Sequence, residues 1–135
     1  MSNQYESMIL VRRRLRMENS YLKQAKELLS AAKKEFKEGK AKGDQIKIRD
    51  AAEKGWNATV QATNGLFAKK RKPIPKSNRV RREGLEKIAP ELRDRFEARA
   101  HSLHSQCFYD GVCPLEIVER DINKVGDYID QVEKK

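Results

Sequence analysis

In the stretch "RAHSLHSQCFYDG", Arg99 to Gly111, the chain places both of its histidines, one of its two cysteines and an arginine within thirteen residues. Four residues separate Arg99 from His104, and five separate Arg95 from His101. Metal-independent RNA cleavage needs a base for the 2′-hydroxyl proton and a cation for the charged phosphorane. Histidine suits the first task because it titrates near neutrality, and arginine suits the second through its permanently charged planar fork. Arg99 and His104, with His101 as a second base, are therefore the candidate catalytic residues. On an ideal α-helix, positions five apart differ by about 140° around the axis. Arg99 and His104 should thus point apart within one chain, and a site using both needs a cleft between two copies. The competing expectation for His104 is a partly buried, hydrogen-bonded residue at a helix or dimer interface.

A second grouping follows from the helical period. Glu97, His101 and His104 stand at i, i+4 and i+7. This spacing suits a carboxylate that orients an imidazole, or three zinc ligands with Cys107 or Asp110 as a fourth. The paired Cys or His motifs of structural zinc sites are absent, so neither a metal nor another cofactor is assigned. Two cysteines, Cys107 and Cys113, make no disulfide framework, and Cys107 reads as a small core residue. Tyr109 is expected to pack with its hydroxyl bonded to a neighbouring loop, and Trp56 to anchor helix packing.

The candidate polyanion contact lies elsewhere. Between Lys69 and Arg82 the chain has Lys69, Lys70, Arg71, Lys72, Lys76, Arg79, Arg81 and Arg82 and no acid. Pro73 and Pro75 break the helical pattern there, which makes residues 69–78 a basic loop. No aromatic residue interleaves the run, so it should touch phosphate without stacking on bases. The net charge is +10, distributed as +13 up to Tyr109 and −3 from Asp110 onward. A basic body with an acidic tail attracts polyanions over distance, and a solvated lysine-rich surface is the plainer reading of the same charge. The basic run also has the look of a nuclear localisation signal.

These residues must be positioned by helices. Hydrophobic residues make up 38% and charged residues 37% of the chain, and no run alternates as a strand would. Amphipathic helices use so few apolar residues economically. Residues 1–17 form an arm, either flexible or the start of the first helix. From Glu18, Leu22, Ala25, Leu29, Ala32 and Phe36 line one helix face, with Gly39 and Gly43 as punctuation and Asp44 as the next cap. Ala52, Trp56, Thr59, Thr63 and Leu66 line a second helix, which should pack antiparallel on the first. Ser77 can cap a short helix running to about Ala89, and Pro90 suits the first turn of another. That helix carries Leu92, Phe96, Ala100, Leu103 and Cys107 as its apolar stripe. Last, Leu115, Val118, Ile122, Val125, Ile129 and Val132 form a heptad-like seam that buries against bundle partners or a second copy. The expected fold is an all-α, up-and-down bundle of four or five helices over residues 18–135, built on a long antiparallel helical hairpin.

The segments "GD…AAEKGWNATVQAT" (Gly43 to Thr63), "LHSQCFYDG" (Leu103 to Gly111) and "PLEIVERDINKV" resemble the HEPN superfamily of helical domains, nearest its PaREP-type archaeal branch. The resemblance covers nearly everything from Glu18 onward. It implies a helical bundle paired as a homodimer and binding nucleic acid or a nucleotide. It also implies, for some relatives, metal-independent ribonuclease activity through an Arg-x4-6-His motif, as in toxin–antitoxin pairs. Those nucleases often carry Asn directly after the arginine and Tyr two residues beyond the histidine, where this chain has Ala100 and Gln106. Other relatives serve as interaction modules beside a nucleotidyltransferase or an antitoxin, so a partner protein is a further expectation. No apolar run approaches the length of a membrane span and no leader is recognisable. The expected location is the cytoplasm.

Overall fold

The computed structural model describes residues 4–135, Arg14 by its backbone alone. Five α-helices follow one another: α1 Gln4–Lys42, α2 Gln45–Lys69, α3 Asn78–Ile88, α4 Pro90–Arg99 and α5 Leu115–Lys134. A π-helical segment, Ala100–Tyr109, continues α4. The fold is an all-α, up-and-down helical bundle, and no strand occurs among the described residues.

The hairpin of α1 and α2 turns on two residues. Gly43 adopts φ +63°, a left-handed conformation that glycine takes without steric cost. The Asp44 amide then donates to the Gly39 carbonyl at 2.9 Å, the closing bond of a Schellman turn. The Asp44 side chain accepts from the Lys47 amide at 3.1 Å and caps α2. Gly39 does not punctuate, contrary to its reading as a breaker. It lies inside α1, where a Cβ would sit only 3.0 Å from Ile48. At the other end of the hairpin Gly65 admits Leu22, and Lys69 reaches Glu18 at 4.0 Å. The two helices are therefore antiparallel, and α2 runs out opposite Glu18. Residues 4–17, expected as a loose arm or the start of the first helix, are helix projecting past that end.

The anticipated stripes are the core. Leu22, Ala25, Ala32 and Phe36 from α1 meet Ala52, Trp56, Thr59, Thr63 and Leu66 from α2. Val118, Ile122, Val125, Ile129 and Val132 of α5 are buried too, so the heptad-like seam is consumed within the bundle except for Leu115, which is exposed at the helix start. The buried hydroxyls between α2 and α5 are satisfied: Thr63 Oγ1 shares a hydrogen bond of 2.6 Å with Tyr128 Oη, and Thr59 Oγ1 donates to the Gly55 carbonyl.

Ser77 accepts from the Val80 amide at 3.2 Å and starts α3 as its sequence implies. The helix lies on α2 through Gly84, where a Cβ would stand 2.3 Å from Phe67 Cζ. Gly84→Ala should therefore lift α3 off Phe67 and cost about 1–3 kcal/mol, the usual range for overpacking. Urea denaturation followed by circular dichroism checks this. A variant as stable as the parent would show that the Phe67 ring simply rotates away.

Candidate functional site

The Arg99–His104 pair does not assemble in one chain. Arg99 ends α4 almost wholly buried, with Nη2 3.5 Å from Asp121 Oδ1 on α5. Its Nε is buried without a hydrogen-bond partner. Burial pulls its guanidinium below the ordinary arginine range, and the Asp121 carboxylate opposes that shift. Arg99 lines a groove of about 640 Å³ between α4 and α5. Arg95, Lys124 and Lys134 share that groove with Asp94, Asp127 and Asp130. Its charges alternate in sign, so it does not present a uniform anion site.

His104 faces the other way. Its Nδ1 lies 2.8 Å from Glu53 Oε2 and 3.1 Å from Oε1, across to α2. An ionised carboxylate only accepts, so Nδ1–H donates and Nε2 of the neutral ring is left as a proton acceptor. Trp56 and Phe108 stand at 5.9 and 6.1 Å between ring centroids. Such an imidazole can serve as a general base. The expectation of divergent side chains is met, but by a different geometry. The segment is π-helical, with the Asp110 amide donating to the Ser105 carbonyl five residues back, so the α-helical angle does not apply.

The second grouping dissolves. Glu97 pairs with Arg82 at 3.0 Å, His101 is exposed, and His104 belongs to Glu53. No cluster of three metal-ligating side chains occurs among the described residues. Tyr109 does not pack; it is 73% exposed. Its environment is set by Arg49, whose Nε and Nη2 donate to the Phe108 carbonyl at 2.9 and 2.6 Å, with a third bond to Tyr109 O. Arg49 thus caps the negative end of the π segment. Sequence reading missed Glu53 and Arg49. Arg49 and Glu53 do stand at i and i+4, flanking the apolar stripe of Ala52 and Trp56, but nothing in that spacing ties them to residues 104–109.

A disulfide joins Cys107 and Cys113, six residues apart. Cys107 is a fully buried core residue, as expected, and what the bond corrects is the expectation that the two cysteines make no disulfide. The two sulfurs meet because Gly111, at φ +75°, folds the chain back under the π segment. The cysteine pattern therefore gives no support to a reducing compartment.

The basic run divides into two groups. Arg81 is spent inside, donating to Asn64 Oδ1, Asn78 Oδ1 and the Pro75 carbonyl at 2.9–3.1 Å. Lys69 and Lys70 donate to the Glu133 and Lys135 carbonyls at the end of α5. Arg82 holds Glu97, and Arg79 lies 3.5 Å from Glu83. Arg71, Lys72 and Lys76 remain exposed, and no side-chain partner is recorded for any of them. Arg71 itself adopts φ +59° in a turn closed by the Lys72 amide on the Phe67 carbonyl. The loop is latched at its base by Arg81, so these three cations project from a fixed frame.

The features define a helical-bundle domain with a latched basic loop and a carboxylate-oriented histidine. The chain belongs to a family described as a domain of unknown function, DUF5618, whose model matches residues 14–134. No curated protein and no solved structure shows significant similarity to it. No helix among the described residues is long and apolar enough to cross a membrane.

Proposed function

We propose that this chain is a HEPN-like module that works as a homodimer and binds nucleic acid, RNA by preference, through Arg71, Lys72 and Lys76. The observation that carries the reading is their lack of protein partners in a basic run whose other members pair with groups of the fold. Unpaired cations on a preorganised frame gain phosphate contacts without first breaking ion pairs. The +13 charge of the body strengthens the long-range attraction.

Fluorescence anisotropy on a labelled single-stranded RNA tests the proposal. Affinity should fall steeply with salt. Replacing Arg71, Lys72 and Lys76 together by alanine should flatten the slope of log K against log salt by about 2, the loss of three phosphate contacts on a single strand. Arg81→Ala should act instead on stability. Binding that is insensitive to salt, or unchanged in the triple variant, would refute the loop as the contact. The same samples report on RNA integrity. Intact RNA is expected; cleavage that vanishes in His104→Ala would move the reading to a ribonuclease whose base is His104.

A further inference from the structure

The α1–α2 interface is written on α1 with a period of seven: Leu22, Leu29 and Phe36 in one register, Ala25, Ala32 and Gly39 in the other. The same two registers continue without a break toward the N-terminus as Met8 and Leu15, and as Val11 and Glu18. From Leu22 onward α2 covers the seam. Before Glu18 no described residue does, because α2 ends at Lys69. The projecting arm, Gln4 to Met17, is about 21 Å of helix. Met8, Val11 and Leu15 are 52%, 43% and 52% exposed on it, and Leu10 and Met17 are exposed beside them. The helix thus carries a packing seam beyond the partner that the chain itself supplies.

We infer that the occupant of this seam is the arm of a second copy, packed antiparallel about a two-fold axis near Val11 and Arg12. This deepens the homodimer reading above by placing its interface. Self-pairing needs a self-complementary patch, and this one qualifies. Around that axis Met8 lies level with the partner's Leu15, and the two Val11 side chains adjoin. Charge selects the orientation. Side by side in parallel, Arg12, Arg13 and Arg16 would stand level with their own copies. Antiparallel, the two Arg16 residues move about 13 Å apart and the two Arg13 residues about 4.5 Å, only Arg12 staying near its copy. Glu6 comes level with the partner's Met17, next to the partner's Arg16. Glu6 and Arg16 are about 15 Å apart along one helix, so they can meet only between chains. The basic loops, at the base of each arm, would then flank the paired arms from either side, about 20 Å apart along the axis.

Sedimentation of the full chain at roughly 100 μM tests this, since dimer population depends on concentration. The wild type should be dimeric, and Met8→Glu/Leu15→Glu should weaken dimerisation by about tenfold or more. Both residues are exposed in the single chain, so its helical content should not fall below that of the dissociated wild type at low concentration. Glu6→Arg alone should weaken the dimer, and Glu6→Arg/Arg16→Glu should restore it, which a parallel pairing would not do. A wild type that dimerises equally well with the double glutamate substitution would overturn the arm as interface while leaving a dimer elsewhere. A wild type that stays monomeric would overturn both readings. Monomers that instead bind vesicles of anionic phospholipid through these residues would overturn them in favour of a membrane surface.

Discussion

Asp121→Ala should lower the unfolding free energy by about 3–5 kcal/mol, the usual cost of removing one partner of a buried pair. The Asp121 side chain is 2% exposed and that of Arg99 8%. Apart from Asp121, the structure records no ion-pair or hydrogen-bond partner for the Arg99 guanidinium, and its Nε is already unsatisfied. Without the carboxylate, a permanent positive charge would remain between α4 and α5 with nothing to offset its desolvation. For a domain with total stability of about 5–15 kcal/mol, that loss is severe. Arg99→Met/Asp121→Leu removes both charges and retains the volume. It should be near neutral or stabilising, because hydrophobic pairs often replace buried ion pairs without loss. Urea denaturation of the three proteins separates the cases. If Asp121→Ala cost under about 1 kcal/mol, water in the neighbouring groove must solvate Arg99. A stable double variant would show that the pair is not required for folding. The arginine that the family resemblance marks as catalytic could then be examined for function without a stability penalty.

How much of this was readable in the sequence depends on the range of the interaction. The stripe from Leu22 to Phe36 and the seam from Val118 to Val132 are periodic in the chain, and both proved buried. Ser77, Asp44 and Pro90 signal helix starts through local chemistry and sit where that chemistry requires. Gly39 and Gly43 have the same residue type but opposite roles. One admits Ile48 at close range and the other takes a positive φ, a difference fixed by the partner helix. The site was less legible for the same reason. Glu53 stands fifty-one residues from His104, and no spacing rule links them. Arg81 and Arg71 are two of eight similar cations until Asn64, Asn78 and Pro75 claim one and leave the other exposed. Composition reveals a basic run, but only packing shows which of its charges are still free to act.

Cys113→Ser should cost about 2 kcal/mol on the loop-closure account of so short a bridge, and adding reductant to the wild type should reproduce it. The bridge closes the turn in which the chain leaves the π segment. Arg49 holds the Phe108 and Tyr109 carbonyls, and Gln45 Nε2 donates to the Gly111 carbonyl at 3.1 Å. These bonds should keep the segment helical after reduction, while its last turn frays. Amide exchange should therefore quicken from about Ser105 to Cys113 and stay slow in α1 and α2. Identical unfolding with and without reductant would show that the hydrogen bonds of Arg49 and Gln45 fix this end without the bridge. The location matters because His104 stands one turn before Cys107. A frayed turn loosens Phe108, which stacks on the imidazole, and so the hold of Glu53 on His104 Nδ1. The oxidised protein should present Nε2 in one fixed direction and the reduced protein in several. Imidazole NMR resonances, sharp in the first case and broadened in the second, would distinguish them.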